Sequence, residues 1–299
     1  MKFAIVIPAK NEEDYIGRTL KSVVSQTLKP VYCLVVDDSS KDKTAEIVKS
    51  YEKNYSIIHY FLNNDKQEYS LGSNIVRVFN KGKNIIEQRG IDFDYIIKMD
   101  ADISFGTNFL DSIDRKITNG KWGIVSGTPY YMKGENRIYE YSPLWHSHGQ
   151  FKIYNIECLN DIGGIDKGLG WDCADNIKAI DKEWRTAAFR NIYYEMHRKV
   201  GGKSNLIKGR INHGIGAYKL GYSLLYLILR SLHDLFKPPL ILGSFSMLHG
   251  YFIGVFSLQI KRILSKRQIK LLRKLFWQSF FQRFKSKDFI ILQQFRKKK

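Results

Sequence analysis

Residues 31–51, VYCLVVDDSSKDKTAEIVKSY, contain one complete strand-to-helix step. An apolar run from Val31 to Val36 breaks into Asp37 and Asp38, and the Ser and Asp residues that follow offer a cap to a helical segment. The same logic precedes it. FAIVI at 3–7 is wholly apolar and stopped by Pro8, as suits a buried parallel strand, and Ile16, Leu20 and Val24 then recur at helical spacing. Downstream, SIIHYF at 56–61 reads as a third strand, 71–88 as a helix, DYIIKMDAD at 94–102 as a strand ending in acids, 105–119 as a helix and WGIVSG at 122–127 as a strand. This alternation predicts an α/β chain with a mostly parallel central sheet flanked by helices, its ligand chemistry in the crevice at the strand carboxyl ends. Neither GxGxxG nor GxxxxGK[ST] follows the first strand, which argues against a dinucleotide-binding dehydrogenase and a P-loop ATPase.

The 299 residues are 44% hydrophobic and 26% charged with six prolines, enough apolar surface to exclude a collagen-like, low-complexity or disordered chain. Lys and Arg number 48 against 29 Asp and Glu, a net +19 that favours an anionic partner. Residues 257–299 hold 14 of those bases and one acid, hence +13, which leaves +6 for the first 256 residues. Cys33, Cys158 and Cys173 form neither an even disulfide framework nor a clustered thiolate site, and suit a reducing compartment. The apolar run near the amino terminus is too short for a secretory signal.

After residue 203 the texture changes. Pro238 to Ile260 lacks any Asp, Glu, Lys or Arg over 23 residues, so a membrane span, an interfacial hairpin and an ordinary helical subdomain all remain open. Beyond it, Ile263, Ile269, Leu272, Leu275, Phe276 and Phe280 fall at roughly helical intervals among positive charges, a composition that lets a helix lie on anionic lipid. The solvated face of a packed helix would read the same way. The expected organisation is a catalytic domain over 1–203 and a helical, basic, amphipathic, membrane-associating region over 204–299.

Asp100 and Asp102 directly follow YIIKM. Two carboxylates at a strand-to-loop junction can hold Mg²⁺ or Mn²⁺ while the ion bridges substrate phosphates, although a surface loop would carry the same residues. Asp37 and Asp38 add two acids at a preceding strand end.

IPAKNEE at 7–13, VVDDSS at 35–40, DAD at 100–102, GG followed by WDCAD within 163–175, and MHRKVGG at 196–202 together resemble the family 2 glycosyltransferases of GT-A fold, over residues 1–202. The resemblance implies transfer of a sugar from a nucleoside-diphosphate donor to an acceptor hydroxyl, with inversion. It implies that Pro8, Ala9 and Glu12 shape the nucleotide pocket and that Asp37 bonds the pyrimidine with Asp38 beside it, a strand-end structural role being open for Asp38. Asp100 is then expected at the ribose or a metal-bound water, and Asp102 as direct ligand of Mn²⁺ or Mg²⁺. His197 would complete the metal site or touch the diphosphate, and Arg198 or Lys199 would neutralise the departing phosphate. Gly163 and Gly164 would let the backbone approach the donor sugar, Asp166 would bind its hydroxyls, and Gly201 and Gly202 would form a closing loop. Lys98 is expected to point away from Asp100.

Inverting transfer needs a base for the acceptor proton. Asp172 and Asp175 are the candidates, Asp172 preferred, with N-capping as its structural alternative and the family's usual Glu-Asp pair replaced by Trp171-Asp172. Trp171 could stack on an acceptor sugar or pack in the core. The absence of a QxxRW string favours single-sugar addition over processive synthesis. A cytoplasmic enzyme, peripheral on the inner face of the plasma membrane and extending a glycan or lipid-linked glycan of a surface polysaccharide or lipopolysaccharide, unites these features. The alternatives are a catalytically silent scaffold of the same fold and a nucleic-acid binder, the latter disfavoured because the bases are interleaved with large aliphatic residues and no nucleic-acid motif appears.

Overall fold

The computed structural model describes residues 1–65, 73–198, 206–233 and 240–285. The strands read from sequence form: β1 (Phe3–Ala9), β2 (Tyr32–Asp37), β3 (Ile58–Leu62), β4 (Tyr95–Met99) and β6 (Trp122–Lys133). So do the helices between them, α1 (Ile16–Val24), α2 (Thr44–Asn54) and α3 (Ser73–Gln88). The helix expected from 105 is α4 (Phe109–Ile117), because Ile103–Phe105 is a further strand, β5. Three more strands complete the sheet: β7 (Asn136–Tyr139), β8 (Phe151–Asn155) and β9 (Arg185–Met196), with α5 (Ile156–Asp161) and α6 (Trp171–Asp181) between the last two.

The mostly parallel GT-A sheet is not what forms. One mixed sheet runs β3-β2-β1-β4-β8-β6-β9-β5, with β7 hairpinned onto β6. Pairs β1/β2, β1/β4, β2/β3 and β6/β9 are parallel, whereas β4/β8, β6/β8, β6/β7 and β5/β9 are antiparallel. Every antiparallel pair includes β5, β7, β8 or β9, the strands that the βα rhythm of the first 127 residues gave no reason to expect.

Strand alternation divides β1 between two cores. Phe3, Ile5 and Ile7 pack with Ile16, Leu20 and Val23 of α1 and with Phe109, Leu110 and Ile113 of α4. Ala4 and Val6 face the other way, onto Val76 and Phe79 of α3. Helix α3 lies so close that a Cβ on Gly82 would come 2.5 Å from Val6 Cγ1.

The carboxyl-terminal part forms α7 (Leu206–Leu220), α8 (Leu224–His233), α9 (Leu240–Phe256) and α10 (Lys266–Lys285). A third core joins α10 to α6 through Ile269, Leu272, Leu275, Phe276, Cys173, Ala174 and Ile177. The apolar stripe that the sequence offered to lipid is thus turned inward: Ile269, Leu272, Leu275 and Phe276 are all buried. Among the described residues, no helix is long and apolar enough to cross a membrane.

Candidate active site

Parallel pairing places Ala9 opposite Asp37, so β1 and β2 release their chains at one sheet edge, Pro8 standing opposite Val36 within the strand. The two loops that leave there interlock. Asn11 and Ser39 both take positive φ, 53° and 59°. The Asn11 N–H donates to Ser40 Oγ (2.9 Å), Lys41 N–H to Asn11 Oδ1 (2.8 Å) and Glu12 N–H to Thr44 Oγ1 (2.8 Å). Asp37 is buried, and its carboxylate accepts from Ser40 N–H (2.8 Å) and the Tyr60 hydroxyl (2.9 Å). Burial and that bond to Asp37 push the Tyr60 hydroxyl up to about 12. Asp38 pairs with Arg77 Nη2 at 2.9 Å and accepts from Asn63 Nδ2 at 2.8 Å, with Lys10 Nζ at 3.6 Å.

The unexpected β5/β9 pairing carries residues 197 and 198 to the acids that follow β4. Ile103 stands opposite Met196, and the next rung is His197 N–H donating to the Asp102 carbonyl at 2.9 Å. Arg198 then bonds Glu12 through Nη2, lies with Nε 3.6 Å from Asp102 Oδ2, and spreads over the Tyr15 ring at 5.0 Å. Asp102 is held up to about 6, first by burial and next by the Asp100 charge, with Arg198 opposing and Glu12 adding. Asp100 is also engaged. Lys98, expected to point away, bonds Asp100 Oδ1 and the Gly149 carbonyl (2.8 Å) while itself 3% exposed.

Crowded carboxylates with one raised toward neutrality are a hard-oxygen donor set that a divalent cation would relieve. Among the described residues no group of three or more His, Cys, Asp or Glu side chains is arranged to hold a metal ion. Asp102, with the Asp100 charge beside it, is the carboxylate that would hold such a cation. The His197 ring stacks on Tyr15 at 5.9 Å, Nδ1 lies 3.7 Å from Glu195, and among the described residues buried Nε2 has no hydrogen-bond partner. Burial lowers its pKa, against the pull of Glu195. Lys199, Gly201 and Gly202 lie outside the described residues.

Helix α6 separates the two candidate bases. Its N-cap is Gly170 in the left-handed region, φ 90°, so Asp172 does not cap it. Gly149 is the link to the acidic edge. A Cβ there would sit 3.1 Å from Asp172 Cβ, while its carbonyl receives Lys98. The Asp172 carboxylate is half-buried and makes no hydrogen bond or ion pair among the described residues. Asp175 is the reverse case: fully buried, it accepts from Lys152 Nζ (2.6 Å), the Tyr154 hydroxyl (2.6 Å) and Asn176 N–H (2.6 Å). Burial pushes its carboxyl up against the pull of Lys152. Trp171 packs in the core, its ring shared by Lys98 and Lys152 at 5.5 and 5.4 Å. Asp166 pairs with Lys178 at 2.8 Å, and Gly163 and Gly164, with φ of 75° and 80°, have open space where a Cβ would stand.

Sequence reasoning passed over Lys152 and the histidines of HSHGQ at 146–150. His148 is buried and His146 half-buried, and desolvation holds His146 down to about 4 and His148 to about 3, with Asp172 opposing in each case. The signal for the lysines was present: a single base within the apolar runs YIIKM and FKIYN must find a buried partner.

The profile of Glycosyl transferase family 2 matches residues 4–170. The 4,4'-diaponeurosporenoate glycosyltransferase of Staphylococcus haemolyticus is 26% identical over 172 residues, 56% of this chain and 40% of that protein. The GalNAc(5)-diNAcBac-PP-undecaprenol beta-1,3-glucosyltransferase of Campylobacter jejuni is 27% identical over 141 residues, 47% of this chain and 42% of its own. The chain thus spans less than half the length of these curated relatives. Among solved structures, TarS 1–349 of S. aureus in complex with UDP-GlcNAc aligns with TM-score 0.56 and 16% identity, over 87% of this chain and 77% of that one. The mannosyltransferase PcManGT of Pyrobaculum calidifontis, in complex with GDP-Man and Mn²⁺, aligns with TM-score 0.53 and 15% identity over 95% and 82%. At such identities the likeness speaks to the fold alone.

Proposed function

Because the chain belongs to glycosyl transferase family 2, we propose that it moves a single sugar from a nucleoside-diphosphate donor, UDP-linked, to a hydroxyl of a glycan or lipid-linked glycan, inverting the anomeric centre. The observation that carries this reading is one continuous constellation. Glu12, Asp100, Asp102 and Arg198 meet at one sheet edge, and Gly149 joins them to Asp172, whose carboxylate has no partner among the described residues. The name of the Campylobacter relative, with its PP-undecaprenol glycan, supports a lipid-linked acceptor in surface-polysaccharide synthesis.

In this reading the interlocked loops at Pro8, Ala9, Glu12, Asp37 and Asp38 hold the nucleotide, and Gly164 and Asp166 border the donor sugar. Asp102, with Asp100 beside it, would hold Mn²⁺ or Mg²⁺, and the ion would supply Lewis-acid stabilisation of the diphosphate charge. Arg198, already balanced between Glu12 and Asp102, turns its guanidinium to the charge that gathers on the leaving diphosphate. Asp172 Oδ takes the proton of the acceptor hydroxyl as that oxygen attacks the face of the sugar opposite the leaving group. Asp175 keeps its ion pair with Lys152 and fixes the phase of α6, the helix that carries Asp172.

The test is turnover across a panel of nucleotide sugars with Mn²⁺, with the product anomer read by NMR. Asp172→Asn should lower kcat by about 10²–10⁴-fold with donor KM little changed, and Asp102→Ala or chelation should remove turnover. An Asp172→Asn enzyme with the parent kcat would move the base elsewhere. A folded chain that neither binds nor turns over any donor would sink the transferase reading.

A further inference from the structure

Helix α9 is packed inside out. Its buried side consists of Gly243, Ser244, Met247, Gly250, Tyr251 and Gly254, small or polar but for Met247 and Tyr251. A Cβ on Gly250 would overlap the Ile211 carbonyl, and one on Gly254 would come 2.6 Å from the Tyr218 ring, so α9 lies with its backbone against α7. The large apolar side chains point the other way. Leu242 and Phe245 are each 64% exposed and Phe256 80%, with Ile241, Phe252 and Ile253 on the same stripe. Helix α8, tied to α9 by Ser244 Oγ donating to the Ser231 carbonyl at 2.7 Å, repeats the pattern with Leu224, Leu225, Ile228 and Leu232 exposed at i, i+1, i+4 and i+8. An apolar stripe of this extent left on the surface marks a face that meets something other than water.

We propose that the α8–α9 face docks in the plane of an anionic bilayer, its apolar stripe sunk among the acyl chains and its basic flank on the headgroups. The charge at its border selects this occupant. Beyond Phe256 the chain passes through Leu258, 98% exposed, straight to Lys261 and Arg262, and then to exposed Lys266, Lys270 and Lys274. A second copy of the chain would bring +19 against +19, whereas an anionic leaflet is attracted to each of those bases. Among the described residues no helix is long and apolar enough to cross the membrane, so the face lies flat on it. The lipid-contacting surface therefore sits on α8 and α9, with Lys261 and Arg262 following α9 directly in the chain. This inference is independent of the transfer chemistry proposed above.

The experiment is flotation of the full chain with phosphatidylcholine vesicles, with or without phosphatidylglycerol, alongside sedimentation in the absence of lipid. The expected result is binding to the phosphatidylglycerol vesicles that weakens with added salt, falls at least tenfold in Leu242→Ser/Phe245→Ser/Phe256→Ser, and falls severalfold in Lys261→Glu/Lys266→Glu. Near-UV circular dichroism unchanged from the parent shows that each variant is folded, as the exposure of the five side chains leads one to expect. Parent-like vesicle binding by the serine variant would overturn the proposal. So would a parent chain that ignores both vesicle types, including one that sediments as a dimer which the same serines dissociate.

Discussion

Replacing Asp175 by Asn should destabilise the protein far more than its small change in shape suggests. Asp175 and Lys152 are both fully buried and 2.6 Å apart. With the carboxylate gone, the Lys152 ammonium would keep the Asp172 carbonyl at 2.5 Å and the Trp171 ring at 5.4 Å, but no counter-charge. Breaking a buried pair from one side costs about 3–5 kcal/mol, because a charge is stranded in a medium that cannot solvate it. Lys152→Met should cost a similar amount, as it strands the carboxylate with only Tyr154 and Asn176 donating to it. The double variant strands no charge, and with the Asn oxygen accepting from the Tyr154 hydroxyl only the Asn176 N–H loses its acceptor, so it should lie within about 2 kcal/mol of the parent. Urea unfolding followed by tryptophan fluorescence reads all three. At a slope of about 3 kcal/mol per molar or somewhat more for a chain of this size, each single change should lower the midpoint by about 1 M or more. Singles that add within about 0.5 kcal/mol to give the double would show that the two groups do not interact, and the role assigned to Asp175 in setting α6 would fall with them.

Stability should also fall on the acid side because of His146 and His148. Their folded values of about 4 and about 3 lie below the roughly 6.5 of an exposed imidazole. The unfolded chain therefore takes up protons that the folded one refuses, so the stability these groups contribute is complete above about pH 6.5. It is lost as pH falls through the folded values, at up to about 1.4 kcal/mol per pH unit for each histidine. His148→Gln should flatten that limb in urea midpoints at pH 7, 5.5 and 4.5, and an unchanged slope would count against it. Gly250→Ala should cost about 1–3 kcal/mol by forcing α7 and α9 apart, read as a lowered Tm. Gly163→Ala meets open space and should cost only about 1 kcal/mol, for its φ of 75°; equal losses from the two changes would refute the close-approach argument.

The legible parts of the sequence were those whose chemistry is local. Phe3–Ile7 and Val31–Val36 are apolar at every position, which only a strand buried on both faces requires, and the acids beyond them marked the sheet edge. β8 escaped because Lys152 and Tyr154 alternate with Phe151 and Ile153, the pattern of a half-solvated segment. Here the polar face is buried too, satisfied by Asp175 from a helix more than twenty residues away. Sequence preferred Asp172 to Asp175 but could not say which faces inward, since that depends on what α6 packs against. The stripe from Ile269 to Phe276 pointed to an amphipathic helix but not to its partner, and the core formed with α6 took the place given to lipid.

The position of β9 constrains how the chain can fold. It lies between β6 and β5 in the sheet, and among the described residues β5 pairs with no other strand. During synthesis β1 to β4 can assemble from the first hundred residues, and Thr19 of α1 holds the Ala101 carbonyl at 2.6 Å, but the Asp102 loop gains its strand pairing only once residue 196 has been made. Arg198 must then close a contact with Glu12 across 186 positions. Such a long-range closure is slow. A fragment cut at residue 170, where the family match ends, would carry most of the acids named here and yet lack both the strand that anchors Asp102 and the arginine that balances it.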